Sequence, residues 1–407
     1  MKIIVQKFGG TSVATPDGRL SVVGHVSAAV QNGYRPVLVV SAMGRAGDPY
    51  ATDTLIGLIK SAGTGDPHCR ELDLLMSCGE TISSAVMCHT LRVNGIDALA
   101  LTGPQAGIIT DDNYNNAHIL EIRPERIRQC LGEGKVAVVT GFQGITRTGD
   151  ITTLGRGGSD TTAAALGVAL GAELVEIYTD VEGVMTADPR IVPKAKPLKT
   201  MTYTEVCEMA HLGARVVHPR AVEIAMEGRV PVKIRSTFSQ APGTLITGGR
   251  GSEGIEIKND RIITGIAHIT DMTLIKLTAK EDVNKDGLAL KVFQDMAENQ
   301  ISVDLIHVTP REISFIVKEE LTELAVKSLN GLPVEVFAEK GFAKVSAVGA
   351  GMRGVPGVMA RVMRSLSLAR VSVYQTTDSH TNISCLVRKS DMQKAAQALH
   401  DEFGPEG

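Results

Sequence analysis

The chain has 407 residues, no tryptophan, 3% aromatic residues and no strong excess of charge of either sign, its net charge being −3. Nucleic-acid partners are held by clustered Lys and Arg, and no basic surplus or stripe is present, so that class of partner is not expected. No apolar run reaches the roughly 20 residues needed to cross a bilayer, so no membrane partner is expected either. The opening MKIIVQKF enters a strand pattern directly, without the apolar stretch and cleavage site of a secretory leader, which points to a cytoplasmic protein. Cys69, Cys78, Cys88, Cys130, Cys207 and Cys385 form no CxxC pair. They support neither a disulfide framework nor a cysteine zinc site, and most read as small core hydrophobes. His25, His68, His89, His211 and His218 also lack metal-ligand spacing, and His218, just before Pro219, reads as structural.

What is present is an ordinary globular balance, 43% hydrophobic and 21% charged, in a chain long enough for two to four domains. Up to about residue 235, strand-like and helix-like segments alternate. Apolar runs at 2–6, 36–40, 96–101, 136–140, 173–178 and 231–234 predict strands. Helical spacing predicts helices over 17–31, 68–93, 159–170, 203–211 and 214–227. Continuous apolar runs such as PVLVV suit strands buried on both faces, so the fold class is α/β with a largely parallel sheet covered by helices. Residues 239–261 are rich in Gly, Ser and Thr and read as a linker. The tail then repeats itself. Residues 262–317 and 343–398 share an order of strands and helices that predicts two copies of a small βαββαβ unit, divided as 262–340 and 341–407, with strands that can interleave. One irregular α+β domain is the plainer alternative.

Four segments of the first 238 residues carry groups that a phosphoryl transferase needs. KFGGTS at 7–12 sets Lys7 on a strand that runs into Gly9 and Gly10, whose backbone can approach an anion closely. The segment fits neither GxxxxGK[ST] nor GxGxxG, and taken alone such a turn is as often structural. GRGGSDTTA at 155–163 places Arg156 and three glycines before an alanine-rich helix, with Ser159 or Asp160 as expected caps. The start of that helix would attract an anion, and Arg156 could grip a carboxylate at two points. In TDVEGVMTADPR at 179–190, Thr179, Asp180 and Asp188 offer oxygens to ribose hydroxyls or hydrated magnesium, and Arg190 a charge to phosphate. In LMSCGETISSAVM at 75–87, Gly79 sits inside a helix pattern at a cost of about 1 kcal/mol, beside Glu80, which could receive an ammonium group. A capped loop and a solvated glutamate are the plainer readings of the last two.

KFGGTSV at 7–13, GRGGSDTTA at 155–163, TDVEGVMTADPR at 179–190 and GARVVHPRAVEIA at 213–225 together resemble the aspartokinases of the amino acid kinase family. The tail resembles a tandem pair of ACT domains, the small modules that bind free amino acids, so the likeness covers essentially the whole chain. It implies a parallel-sheet sandwich over 1–238 followed by the two regulatory modules. It implies an ATP-dependent phosphotransferase with a carboxyl acceptor, using Mg2+, that converts L-aspartate to 4-phospho-L-aspartate in amino-acid biosynthesis. Matched position by position, Lys7, Phe8, Gly9, Gly10, Thr179, Asp180, Met185 and Arg190 fall on the ATP site. Ser41, Thr52, Asp53, Glu80, Arg156, Gly157, Gly158 and Ser159 fall on the aspartate site, with Lys7, Arg156 and Asp160 as the catalytic set. Asp286, Gly287, Asp304, Gly357 and Gln375 become effector contacts.

Two departures stand out: Met185 where many relatives have tyrosine, and a longer SAMGRAGDPYATD segment that leaves Thr52 and Asp53 harder to align. That insertion and YQTTDSHTNI at 374–383 resemble isozymes controlled by diaminopimelate; lysine, threonine and methionine are the other effectors the family allows. Pairing of the tail sheets implies a homo-oligomer, a dimer or tetramer. A kinase acting on glutamate, acetylglutamate, carbamate or a nucleotide, and a non-catalytic sensor with a decayed kinase domain, are the alternatives.

Overall fold

The computed structural model describes residues 1–214, 216–248, 262–280, 287–309, 311–352 and 354–405. The chain divides into two compact units. The first comprises 1–184, 197–210 and 215–257, and the second 185–196, 211–214 and 258–407.

In the first unit, among the described residues, an eight-stranded sheet runs in the order Thr200–Thr202, Thr244–Thr247, Val232–Ser236, Leu174–Thr179, Ile3–Phe8, Arg35–Val40, Val136–Thr140, Ala98–Leu101. Every pairing is parallel except that of Val232–Ser236 with Thr244–Thr247. The strands are Val- and Ile-rich because helices cover both faces. Val37, Leu38, Val39 and Val40 are all fully buried, as are Ala137, Val138 and Val139, each larger side chain contributing about 2 kcal/mol of burial. On one face Pro16–Gln31 and Cys69–Val93 pack with Phe8, Leu38, Val40 and Val138. Gly158–Leu170, whose Ala163, Ala164 and Leu166 are fully buried, contacts the central strands. A small sheet, in the order Ile119–Ile122, Ile108–Thr110, Gln143–Thr146, Ile151–Thr153, stands apart from the main one.

Two expectations change here. Thr244–Thr247, inside the stretch read as linker, is a strand of the main sheet; residues 249–261 lie outside the described residues. The helix expected over 214–227 occupies Pro219–Glu227, because the residue before a proline is pushed out of helical conformation while the proline suits the first helical position.

Among the described residues, the second unit contains a six-stranded sheet in the order Asp304–Val308, Glu312–Lys318, Gly265–Ala279, Val334–Val348, Asn382–Arg388, Gln375–Asp378. Its two central strands are 15 residues long and are broken midway, at Asp271 (φ 61°) and Gly341 (φ 85°). Each therefore serves two cores. Ile275 and Leu277 pack with Leu288–Glu298 and Thr322–Ser328, whereas Ile266, Val345 and Ala347 pack with Val358–Leu368 and Met392–Phe403. The βαββαβ pattern is thus complete in the first module. The second takes its last strand from residues 265–269, ahead of the first module in the chain. The second core also includes Ala187 and Val192, and Thr186 Oγ1 lies 3.0 Å from His400 Nε2.

Candidate active site

In parallel α/β sheets, ligands bind beyond the carboxyl ends of the strands. Ile3–Phe8 lies between Arg35–Val40 and Leu174–Thr179 with Phe8 level with Val40 and Tyr178, so the chain leaves the sheet at Gly9, Ser41 and Asp180 side by side. At this edge a cavity of about 290 Å3 is lined by Lys7, Gly10, Ser41, Thr52, Asp53, Glu80, Arg156, Gly157, Gly158, Ser159 and Asp160. Three loops and a helix, far apart in sequence, converge there within one unit. Phe8 is different: its ring is fully buried and stacked on Tyr178 with centroids 4.6 Å apart. Only its main chain can face a ligand, since a strand sends successive side chains to opposite faces.

The Lys7 ammonium lies 2.8 Å from Asp160 Oδ1, both side chains being about one-eighth exposed (12% and 13%). Asp160 stands in the first turn of Gly158–Leu170. Ser159 and Asp160, expected as caps, serve otherwise: Asp160 pairs with Lys7, Ser159 is buried, and the cap position is Gly157 with no side-chain bond. Gly157 has φ 72°, and a Cβ there would lie 2.3 Å from the His218 ring, so both conformation and space require glycine.

Glu80 sits on Cys69–Val93 at 3% exposure. Its Oε1 accepts the Ala42 N–H at 3.0 Å, while its Oε2 is buried with no hydrogen-bond partner. Burial lifts this carboxyl to a pKa of about 8, opposed by the Ala42 N–H and, less strongly, by its own backbone N–H. The helical Gly79 next to it is explained by packing: a Cβ would meet the Ala42 side chain at 2.8 Å and the Tyr50 carbonyl at 3.0 Å. The close approach is thus from the chain's own loop, which in turn roofs Glu80. Arg156 is exposed on the cavity wall and forms no ion pair with a described residue.

Thr179 donates its hydroxyl to Asp180 Oδ1 at 3.1 Å, and Asp180 Oδ2 accepts from Arg45 at 2.9 Å. Met185 and Arg190 fall in the second unit. There the Arg190 guanidinium engages both oxygens of Asp188, at 3.0 and 2.7 Å, and holds that carboxyl below its usual range. The oxygens expected to serve ribose or magnesium from Asp188 are therefore already taken. Among the described residues no three His, Cys, Asp or Glu side chains form a metal cluster.

In the tail, Gly287 and Gly357 occupy matching positions, each a left-handed N-cap (φ 84° and 88°) of an 11-residue helix. Asp304 is ion-paired with Lys344, and the Gln375 amide donates to the Leu305 carbonyl. Asp286 lies outside the described residues. Sequence reasoning missed Arg45, Gly44, Ala51 and Phe142, which also line the cavity. Arg45 had one available signal, a cation directly after the glycine that follows a buried strand.

Residues 2–236 match the amino acid kinase family and residues 345–403 the ACT domain. The chain is 51% identical over 406 residues to aspartokinase 1 of Bacillus subtilis (strain 168), covering 99% of each chain. It superimposes on E. coli aspartokinase III in complex with aspartate and ADP, described as the R-state, with a TM-score of 0.81 and 26% identity, covering 99% of this chain and 100% of that one. The lysine- and aspartate-bound T-state of the same E. coli enzyme gives a TM-score of 0.75 and 27% identity over 98% and 99%.

Proposed function

The chain belongs to the amino acid kinase family and, within it, to the aspartokinases, and on that premise we infer how its own residues transfer the γ-phosphoryl group of ATP to the β-carboxylate of L-aspartate. The observation that carries the reading is Glu80, a buried carboxyl with one unpaired oxygen at the wall of a cavity that also holds Arg156 and Lys7. An unsatisfied buried oxygen calls for a donor, and the α-ammonium of an amino acid is one. Arg156, which forms no ion pair among the described residues, takes the α-carboxylate at two points. This leaves the β-carboxylate directed at the glycine turn. It is already ionised near neutral pH, so the chain supplies no general base. Its contribution is placement and charge: Gly9 and Gly10 let the phosphates approach the backbone, and Lys7, steadied by Asp160, balances the charge of the γ-phosphoryl group as it transfers. Thr179 and Asp180 face the nucleotide from the neighbouring strand, with Met185 and Arg190 further along that segment.

Mg2+ keeps several waters and binds through one or two carboxylates plus substrate phosphates. A site with isolated carboxylates such as Asp160 and Asp180, and no acidic cluster among the described residues, suits an ion that arrives on the nucleotide. When bound, it neutralises charge on the β- and γ-phosphates.

Residues 1–238 form the catalytic part and 262–407 a regulatory part that answers to an end-product amino acid, a reading supported by the T-state of the E. coli enzyme being a complex with lysine and aspartate. Chain continuity supports the coupling: at Met185, a few residues after Thr179 and Asp180, the chain enters the second unit, where Ala187 and Val192 join a core of the tail. The strand Asp304–Val308 is a sheet edge with Ile306 and Val308 half exposed, an edge that pairing in a homo-oligomer would cover. The function is tested by incubating the protein with ATP and L-aspartate and trapping the acyl phosphate with hydroxylamine. Aspartyl hydroxamate should form with aspartate and not with glutamate; equal product from glutamate, or none from aspartate, contradicts the reading.

A further inference from the structure

We propose that Arg45 is a further catalytic residue, whose guanidinium leaves Asp180 and grips the terminal phosphates of ATP when the nucleotide enters. The cations lining the cavity are Lys7, Arg45 and Arg156. Lys7 is held by Asp160, and Arg156 serves the amino acid, so a nucleotide carrying several negative charges meets one cation without a lasting commitment. Arg45 is placed for the task. It follows the strand Arg35–Val40 and reaches Asp180, beyond Leu174–Thr179, at 2.9 Å. The strand Ile3–Phe8 lies between those two, so the ion pair spans the mouth of the glycine turn.

Its backbone is built and its side chain is free. The Gly44 N–H donates to the Gly10 carbonyl at 3.1 Å, which fixes the Arg45 loop on the turn. The Arg45 N–H donates to Asp48 Oδ2 at 2.8 Å, and the Asp48 N–H returns a bond to the Arg45 carbonyl at 2.9 Å. The ion pair itself is exposed, 72% on the Arg45 side, and such pairs exchange readily. Phosphate offers the planar guanidinium a multiply charged, two-point partner, a better match than one carboxylate oxygen. Asp180 therefore holds Arg45 over the glycine turn and gives it up to the ligand.

The inference rests on the assignment of the glycine turn to the nucleotide phosphates, and the experiment separates the two. Affinities for ATP, ADP, AMP and aspartate are measured by calorimetry in one magnesium-containing buffer for the wild type, R45A, R45K and K7A, with kcat for each and circular dichroism to confirm folding. R45A should weaken ATP at least tenfold and lower kcat at least tenfold. AMP and aspartate should change less than twofold, and R45K should recover part of the ATP affinity. R45A with ATP affinity and kcat within twofold of the wild type, while K7A loses both, overturns the role of Arg45 alone. Equal weakening of AMP and ATP by R45A overturns it too, because the contact would then lie on the nucleoside. If K7A also binds ATP normally, the phosphate site itself is elsewhere and both assignments fall.

Discussion

Glu80 in the kinase unit and Lys344 in the tail are both ionisable side chains at 3–4% exposure, yet their surroundings differ. Lys344 is ion-paired with Asp304, whose own side chain is 43% exposed. Glu80 has one N–H donor and an oxygen with none. A buried charge survives in a fold when it is paired; left unpaired, the group shifts its pKa and takes the neutral form instead, which for a carboxyl means holding its proton. The tail's candidate effector residues Asp304 and Gln375 are likewise spoken for within the unit, whereas Arg156 and Glu80 keep open valences toward one cavity. Unsatisfied bonding capacity, more than residue type, separates the place where a substrate is expected from a place held by its own contacts.

The largest effect should come from Lys7→Ala. Removing a charge that balances the transferring group is worth roughly 3–4 kcal/mol, so kcat should fall by at least about 10²-fold. Stopped-assay turnover of the folded variant checks it; near-normal turnover breaks the catalytic side of the comparison. Next is Gly157→Ala. The left-handed conformation costs a residue with a Cβ about 1–2 kcal/mol, and the contact with His218 adds to it. Chemical denaturation should show that loss, with a raised KM for aspartate because the turn carries Arg156.

Glu80→Gln comes third and sharpens the contrast. It should raise KM for aspartate at least about tenfold, the equivalent of one 1.4 kcal/mol contact, and leave KM for ATP within about threefold. The same variant should be the more stable protein at high pH. The folded pKa of Glu80 is raised from 4.5 to about 8, so the native state holds an extra proton across that window and loses stability as pH rises through it. The thermal midpoint of E80Q should therefore exceed that of the wild type by a margin that grows from pH 5 to pH 9. The smallest effect belongs to Lys344→Met. Asp304 can return to water, so the loss should stay near 1 kcal/mol or less, with uninhibited kcat within about twofold. A large loss of activity in thermally intact K344M would erase the distinction between the two regions.

Much of the fold was legible because it depends on local chemistry. Runs such as PVLVV and VAVVT announce strands covered on both faces, and the four loops carry glycines whose positions read through directly. Other features arise only in three dimensions. The continuity of the two 15-residue strands of the tail is not legible in the sequence, because their irregular points at Asp271 and Gly341 look like turns and nothing local tells which core each half joins. Residues 108–110 and 151–153 are strands too short for a period to register. At the site, Lys7, Arg156 and Ser159 were found from their loops. The reason for Gly79 was not, since the close neighbour is a loop some 30 residues earlier in the chain. Phe8 lies in a motif yet turns its ring to the core, because motifs are read along a chain and strands alternate. Arg45 escaped notice within an insertion, where no familiar spacing marks it.

Glu80 receiving the substrate's ammonium group is the contact on which aspartate recognition rests. The direct measurement is proton uptake or release when L-aspartate binds, obtained by calorimetry at pH 7 in buffers of different ionisation enthalpy. With a pKa of about 8, Glu80 is mostly protonated at pH 7 and must ionise to hold the ammonium. Binding should then release close to one proton, and affinity should weaken up to about tenfold for each pH unit below 8. In E80Q the release should vanish. Aspartate binding that releases no proton at pH 7, or that releases the same fraction in E80Q, would contradict the assignment.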